Sequence, residues 1–181
     1  MQTTIPKRKN IRKRDYDYSQ NGAYFVTICI NNTQHQLCQI VTATCAEGKT
    51  ALPCVKFTAL GEIVDAVIRS SNCEGISILK YVIMPDHVHL IVAINATENR
   101  SLAECEDDNR RFLLQSFVRS MKAYASKQCG FSPWQKSFHD RIIRNEREYQ
   151  TIWRYIDENP SRLVEDRCRK AEENNNANCE S

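Results

Sequence analysis

Hydrophobic and polar positions follow two different periods along the chain, and each period predicts one type of element. Residues 23–30 form a nearly continuous run of Ala, Tyr, Phe, Val, Thr, Ile and Cys after the turn signal Gln20-Asn21-Gly22, which predicts a central β-strand. Two apolar, β-branched runs at 76–83 and 87–94 flank Met84-Pro85-Asp86 and predict a β-hairpin. Weaker runs predict short strands at 37–42 and 55–57.

Helical periodicity occurs in three segments. Thr58 is a predicted N-cap, and apolar residues recur at helical spacing from there to about Arg69. A second amphipathic helix is predicted over about 110–127, and a third over about 146–158, where it ends against Pro160. This order of strands and helices predicts an α+β fold, in which helices pack on one face of an antiparallel sheet.

Length and composition narrow the class of protein. A chain of 181 residues, 41% hydrophobic and 26% charged, is typical of one soluble domain. Its apolar runs are far shorter than the roughly 18 residues of a membrane span. The basic N-terminus is not followed by the apolar stretch of a signal peptide. We therefore expect a cytoplasmic protein with free thiols. The expected organisation is a basic arm at 1–18, a folded domain at 19–163 and a polar, disordered tail at 164–181.

Positive charge is concentrated locally, although the net charge is only +3. Residues 7–14 carry six basic side chains without an acid, residues 110–127 carry five, and residues 134–145 combine aromatic with cationic side chains. Such clusters attract phosphate backbones, whereas a solvated face or an ordinary loop would also account for each cluster alone. The side chains predicted to bind nucleic acid are Lys7, Arg8, Lys9, Arg12, Lys13, Arg14, Arg110, Arg111, Arg119, Lys122, Arg141 and Arg144.

Two histidines open the second strand of the predicted hairpin. Because strand side chains alternate between faces, the imidazoles of His87 and His89 point the same way, about 6 to 7 Å apart. That spacing suits two ligands of one metal ion, and it also suits two histidines that only make ordinary hydrogen bonds. A zinc site with three histidines would need His35 or His139, and neither lies in a comparably ordered context.

The third helix supplies a second group of candidates. An apolar stripe at helical spacing contains Tyr149, Ile152, Trp153 and Ile156. Tyr149 is therefore predicted to be buried in the core. Tyr155 and Asn159 share a flank beside this stripe, from which a phenol and an amide oxygen can reach a pocket at the sheet edge. In the alternative interpretation, Tyr155 only covers the rim of the core with its hydroxyl in water.

Four blocks of the sequence together resemble one family. GAYFVTI at 22–28, YVIMPDHVHLIV at 81–92, WQKSFHDRIIRNEREY at 134–149 and YIDENP at 155–160 are similar to the REP-associated tyrosine transposases of the HUH single-tyrosine superfamily. The resemblance extends over about residues 10–160, and the combination of blocks is specific. It implies a ferredoxin-like α+β domain with the HUH motif on a central strand. It also implies cleavage of single-stranded DNA beside hairpins.

The same resemblance assigns roles to individual residues. His87, His89 and Asn159 would hold a divalent metal, and Tyr155 would be the nucleophile that forms a 5′-phosphotyrosine linkage and frees a 3′-OH. Nitrogen and oxygen ligands without a thiolate suit Mn²⁺ and tolerate Mg²⁺. The implied partner is single-stranded DNA with a REP-like hairpin, bound by a monomer or a homodimer and without a membrane.

Two other functions fit parts of the pattern. A catalytically inactive nucleic-acid binding module of the same fold would use only the basic segments, but it would have no reason to keep Tyr155 together with the histidines and Asn159. A small zinc hydrolase would need an acidic general base, and Asp86 is the one acid beside the histidines.

Overall fold

The elements below come from a computed structural model, which describes residues 22–31, 35–42, 53–95 and 113–179. In chain order they are β1 (Gly22–Cys29), β2 (Cys38–Val41), β3 (Cys54–Phe57), α1 (Ala59–Ser70), β4 (Ile76–Ile83), β5 (His87–Ile94), α2 (Leu113–Cys129), β6 (His139–Ile143) and α3 (Glu146–Cys179). The predicted basic arm at 1–18 lies outside the described residues, as do Arg110 and Arg111. None of the helices in the described ranges is long and apolar enough to cross a membrane.

Four strands form one antiparallel sheet in the order β4-β5-β1-β6. Together with α1 and α2, this order is that of a ferredoxin-like fold, so the predicted α+β class is confirmed. The predicted hairpin is β4 and β5, and its second strand, which carries the histidines, lies inside the sheet. The strands β2 and β3 pair separately in an insertion between β1 and α1.

The sheet is covered on both faces. Tyr24, Val26 and Ile28 on β1 belong to a buried cluster with residues of α1 and α2. Phe25 points to the opposite face and packs in a second cluster with Ile152 and Ile156 of α3. The prediction that the helices share one face is therefore wrong for α3. The physical reason is that β1 and β5 are apolar on both faces, so each face needs a cover.

Helix α3 is much longer than its sequence pattern predicted. It continues through Pro160 to Cys179, so the predicted end before Pro160 is wrong, and the backbone of 164–179 is helical rather than a disordered tail. A proline removes one helical hydrogen bond and disfavours continuation. Packing compensates here, because Leu163 and Val164 contact the cluster formed by Cys38, Ile40 and Met84.

The ends of the other helices follow the sequence closely. Gly61 N–H donates to the Oγ1 of Thr58 (3.2 Å), which confirms Thr58 as the N-cap of α1. Helix α2 is described from Leu113 onward and ends before Gly130, which has a φ of 76°, a conformation that suits glycine. Strand β6 was not predicted, because its five residues form too short a run to stand out.

The cysteines whose side chains are described are free thiols: Cys29, Cys38, Cys54, Cys73, Cys129 and Cys168. Burial is the main cause that raises the pKa of Cys38 to about 11. Its Sγ–H donates to the carbonyl of Ile83 (3.3 Å), and it packs with Met84 under α3. This thiol therefore serves as a small core residue.

A close approach between α1 and the segment before β2 gives a test of the fold. A Cβ added at Gly61 would lie 1.9 Å from the carbonyl oxygen of Leu37. Alanine normally stabilises a helix interior by about 1 kcal/mol over glycine, but overpacking against backbone costs about 1 to 3 kcal/mol or more. We therefore expect Gly61→Ala to lower the free energy of unfolding, measured by urea denaturation.

The matched control is Gly22→Ala at the start of β1. The nearest atoms to an added Cβ there belong to the Tyr24 side chain, 3.9 Å away, which is an ordinary contact. This variant should unfold within about 0.5 kcal/mol of the wild type. Equal stability of the two variants would contradict the packing of α1 on Leu37.

Candidate active site

The two histidines of β5 converge on one point. Both side chains lie on the α3 face of the sheet, and their Nε2 atoms are 3.1 Å apart. The ring centroids are 4.5 Å apart, closer than the backbone spacing suggested, because the rings tilt towards each other. The prediction that these imidazoles share one face is confirmed by this geometry.

Each imidazole is oriented by a bond to its other nitrogen. His87 Nδ1–H donates to Asp86 Oδ1 (2.7 Å), whereas His89 Nδ1 shares a hydrogen bond with Thr27 Oγ1 (2.8 Å). Thr27 is the register partner of His89 on β1, which explains why it lies within reach. With the Nδ1 atoms engaged in this way, the Nε2 atoms are the ones directed at the shared point.

Burial keeps His89 neutral. Its side chain is only 6% exposed, and desolvation, followed by the charge of His87, lowers its pKa to about 4. At neutral pH the ring therefore carries a lone pair and no charge. A neutral imidazole is the form that binds metal ions.

Tyr155 of α3 lies against this pair. Its Oη is 3.4 Å from His89 Nε2, and its ring packs edge-on to Phe25, with centroids 6.0 Å apart. Tyr149 instead stacks on Trp153 at 5.6 Å, within the apolar contact between α3 and the sheet. Asn159, one turn after Tyr155, is 8% exposed. Of the two helix tyrosines, Tyr155 is thus the one that contacts a histidine.

Two contacts fix the turn of α3 that carries Tyr155. Lys80 of β4 forms an ion pair with Asp157 (2.6 Å), and its ammonium lies 4.1 Å from the centroid of the Trp153 ring. These partners are two residues after and two residues before Tyr155. Lys80 could not be identified from the sequence, because helical periodicity does not show against which strand a helix flank packs.

A second cation lies beside the tyrosine ring. The guanidinium of Arg162 is 5.6 Å from the ring centroid of Tyr155 and forms an ion pair with Glu158 (2.7 Å). Arg162 could not be identified from the sequence either, because the pattern predicts that the helix ends before Pro160. The Arg162 side chain is largely exposed, so its positive charge lies on the solvent side of the Tyr155 ring.

The donor set fits a divalent cation. Two ligands in neighbouring positions of an octahedral ion, each about 2.1 Å from it, are about 3 Å apart, which matches the distance between the two Nε2 atoms. Within the described residues no group of three or more His, Cys, Asp or Glu side chains could hold such an ion.

The remaining histidines are separate from this pair. His139 opens β6 opposite Thr27, so the expectation that it lacks an ordered context is wrong. The register nevertheless places β1 between it and His89. His35 stacks on Phe131, with ring centroids 5.1 Å apart, at a groove beside α1.

The predicted DNA-binding residues that the structure describes fall in two places. Arg119 and Lys122 lie on α2 and line a cavity of about 400 Å³. Arg141 is on β6, on the same sheet face as the histidines, where it forms an ion pair with Glu148. Arg144 follows β6, and its backbone N–H donates to Glu148 (2.9 Å).

The matching family model covers residues 38–159 and describes the family as transposase, IS200-like. This range contains both histidines, Tyr155 and Asn159. The chain belongs to the IS200-like transposase family. Membership supports a transposase-type function in DNA transposition. It also confirms the family resemblance that was found in the sequence.

Two proteins are similar over most of this IS200-like transposase. An uncharacterized protein of Haemophilus influenzae is 28% identical over 171 residues, which are 86% of this chain and 89% of the relative. A solved structure of a REP-associated tyrosine transposase bound to a REP hairpin has a TM-score of 0.52 at 23% identity. The alignment covers 84% of this chain and 73% of that one, and the likeness supports the ferredoxin-like fold.

Proposed function

We propose that this IS200-like transposase cuts and rejoins single-stranded DNA beside hairpins through a covalent 5′-phosphotyrosine on Tyr155. The observation that carries the proposal is the contact between a tyrosine hydroxyl and a pair of converging imidazoles, 3.4 Å from one of them. A tyrosine that only covered the rim of the core would have no need of this position. A binding module without chemistry would not need the oriented histidines either.

The reaction exchanges one phosphodiester for another. The Oη of Tyr155 forms a bond to phosphorus while the bond from phosphorus to the 3′ oxygen breaks. The phenol loses a proton, and the departing 3′ oxygen takes one up, so the step needs neither water nor ATP. The phosphotyrosine keeps the bond energy, and attack by a 3′-OH reverses the step and joins strands.

The chain's own residues prepare this step. The Lys80 contacts hold the helix turn so that the hydroxyl of Tyr155 faces the histidines, and Phe25 packs against the ring from the sheet. Arg162 lies where its guanidinium can pair with a phosphate oxygen of the bound strand. Positive charge beside Tyr155 stabilises the negative charge that develops on the attacked phosphate.

His87, His89 and Asn159 would hold Mg²⁺ or Mn²⁺, with phosphate oxygens completing the ligands. When bound, the cation supplies charge that stabilises both the phenolate and the attacked phosphate. Asp86 and Thr27 orient the two rings for this purpose.

Covalent capture tests the proposed function. The full chain is incubated with Mn²⁺ and the single-stranded hairpin DNA that lies beside its gene, labelled at either end, followed by denaturing electrophoresis. A 3′-end label should move to the protein band, and a 5′-end label should appear on a shorter free fragment, because the protein keeps the 5′ phosphate.

Three other outcomes would contradict the proposal. Free fragments without labelled protein would indicate a hydrolytic nuclease. Retardation in a native gel without cleavage would indicate a binding module. Transfer of the 5′-end label to the protein would indicate the opposite linkage.

The hydrogen bond between Thr27 and His89 gives a testable prediction. Thr27→Val keeps the side-chain shape but removes the hydroxyl bonded to Nδ1. Loss of such a partner usually lowers metal affinity by about 10- to 100-fold, so the Mn²⁺ concentration for half-maximal capture should rise by at least about tenfold. Thr27→Ser retains the hydroxyl and should stay near the wild type. An unchanged Mn²⁺ requirement in Thr27→Val would remove Thr27 from the site.

A further inference from the structure

Helix α2 and the segment of the chain that follows it enclose one cavity. Its volume is about 400 Å³, within the range of about 300 to 1,000 Å³ that is usual for ligand pockets. One wall is the face of α2 that carries Arg119 and Lys122, and the other is the segment 132–138, which precedes β6. From this juxtaposition we propose that the cavity binds a nucleotide of the single-stranded DNA substrate.

The lining has the chemistry of a nucleotide site. Arg119 and Lys136 supply exposed cations, and none of the described residues that line the cavity is acidic. Gln115 and Gln135 add amides, which hydrogen-bond base edges, and the half-buried ring of Phe138 lines the same cavity. Phosphate-binding cations combined with an aromatic ring are the usual elements of single-strand recognition.

The cavity has a fixed shape, because its two walls are bonded together. The ammonium of Lys122 donates to the carbonyl of Gln135 (2.6 Å), and the indole N–H of Trp134 donates to the carbonyl of Lys122 (3.1 Å). Trp134 is buried in the core cluster beneath. Lys122, predicted as a DNA contact, thus also shapes the site, and Arg119 and Lys136 are the cations that face a ligand.

The cavity and the histidines lie on opposite faces of the sheet, because Trp134 of the cavity wall packs in the cluster under α1 and α2, whereas the histidines lie on the face covered by α3. One strand links the two places. Cys29 of β1 pairs with His87 across one edge, and its carbonyl accepts from Gln135 N–H (2.9 Å) across the other. A single strand that enters both places would therefore pass around the sheet. The assignment rests on the proposed function, because it concerns the strand whose phosphate Tyr155 attacks.

Photo-cross-linking tests the proposal without any cleavage. The full chain is mixed with oligothymidylate that carries one 5-iodouracil, in the presence of chelator, then irradiated and digested with trypsin. The adduct is expected in peptide 137–141, whose one phenyl ring is Phe138. Adducts confined to other peptides would overturn the proposal.

A second test compares the salt dependence of oligonucleotide affinity between matched variants. Arg119→Gln and Lys136→Gln should each reduce the slope of log affinity against log salt by about 0.7, which is about fivefold in affinity at 0.1 M salt relative to 1 M. Lys127→Gln removes an exposed cation of α2 that does not line the cavity, and it should leave the slope near wild type. Equal slopes for Arg119→Gln and Lys127→Gln would overturn the proposal.

The two proposals fail separately. Adducts outside the cavity together with a normal DNA adduct on Tyr155 would remove the nucleotide site and leave the proposed function. An adduct at Phe138 without any covalent capture by Tyr155 would keep the nucleotide site and remove the proposed chemistry.

Discussion

Tyr155→Phe is expected to reduce covalent capture of hairpin DNA to background. The substitution deletes the one atom that would attack phosphorus and leaves the ring in place against Phe25. Since the lost hydroxyl makes only a long contact to His89, the free energy of unfolding should change by about 0.5 kcal/mol or less. Denaturing electrophoresis measures the capture, and fluorescence anisotropy should give an unchanged DNA affinity.

Tyr149→Phe is the matched control, because it removes the same atom from the same helix. Tyr149 packs with Trp153 away from the histidines, so capture should remain near wild type. If Tyr149→Phe abolished capture and Tyr155→Phe did not, the nucleophile would have been misassigned.

His87→Ala and His89→Ala are each expected to lower Mn²⁺-stimulated capture by about 100-fold or more. A bound cation typically supplies several kcal/mol of charge stabilisation, and 1.4 kcal/mol corresponds to a factor of ten. Excess chelator should reproduce this loss in the wild type. Asn159→Ala should reduce capture less, since a neutral amide oxygen is the weakest of the three proposed ligands. Capture rates as a function of Mn²⁺ concentration provide the measurement.

His139→Ala is the control for these histidine variants. His139 lies on the same sheet but is separated from His89 by β1, and it should retain capture. Full activity of His87→Ala, or of the wild type in excess chelator, would contradict the metal role of the pair.

Local signals predicted most of the fold. The hairpin of β4 and β5 and the N-cap of α1 each depend on neighbouring residues, and both were correct. The course of α3 depends on distant contacts. Leu163 and Val164 pack on the β2–β3 insertion, and this contact extends the helix beyond a proline that local rules treat as a stop.

In the candidate site, too, local patterns identified some residues, whereas those that depend on distant contacts were missed. Strand alternation placed His87 and His89 on one face. The helical angle separated the two tyrosines less well, because Tyr149, predicted in the core, and Tyr155, predicted outside it, are both partly buried against the same apolar cluster. Thr27 and Lys80 were missed, because their roles follow from strand register and from the docking of α3 on β4. Arg162 was missed because it follows Pro160.

Peptide mapping of the covalent product tests the central claim most directly. After capture of hairpin DNA and digestion with nuclease and trypsin, mass spectrometry separates peptide 155–162, whose one tyrosine is Tyr155, from peptide 148–154, which contains Tyr149. We predict a residual nucleotide 5′-phosphate on peptide 155–162 and an unmodified peptide 148–154. A nucleotide on peptide 148–154, or cleaved DNA with neither peptide modified, would contradict the account.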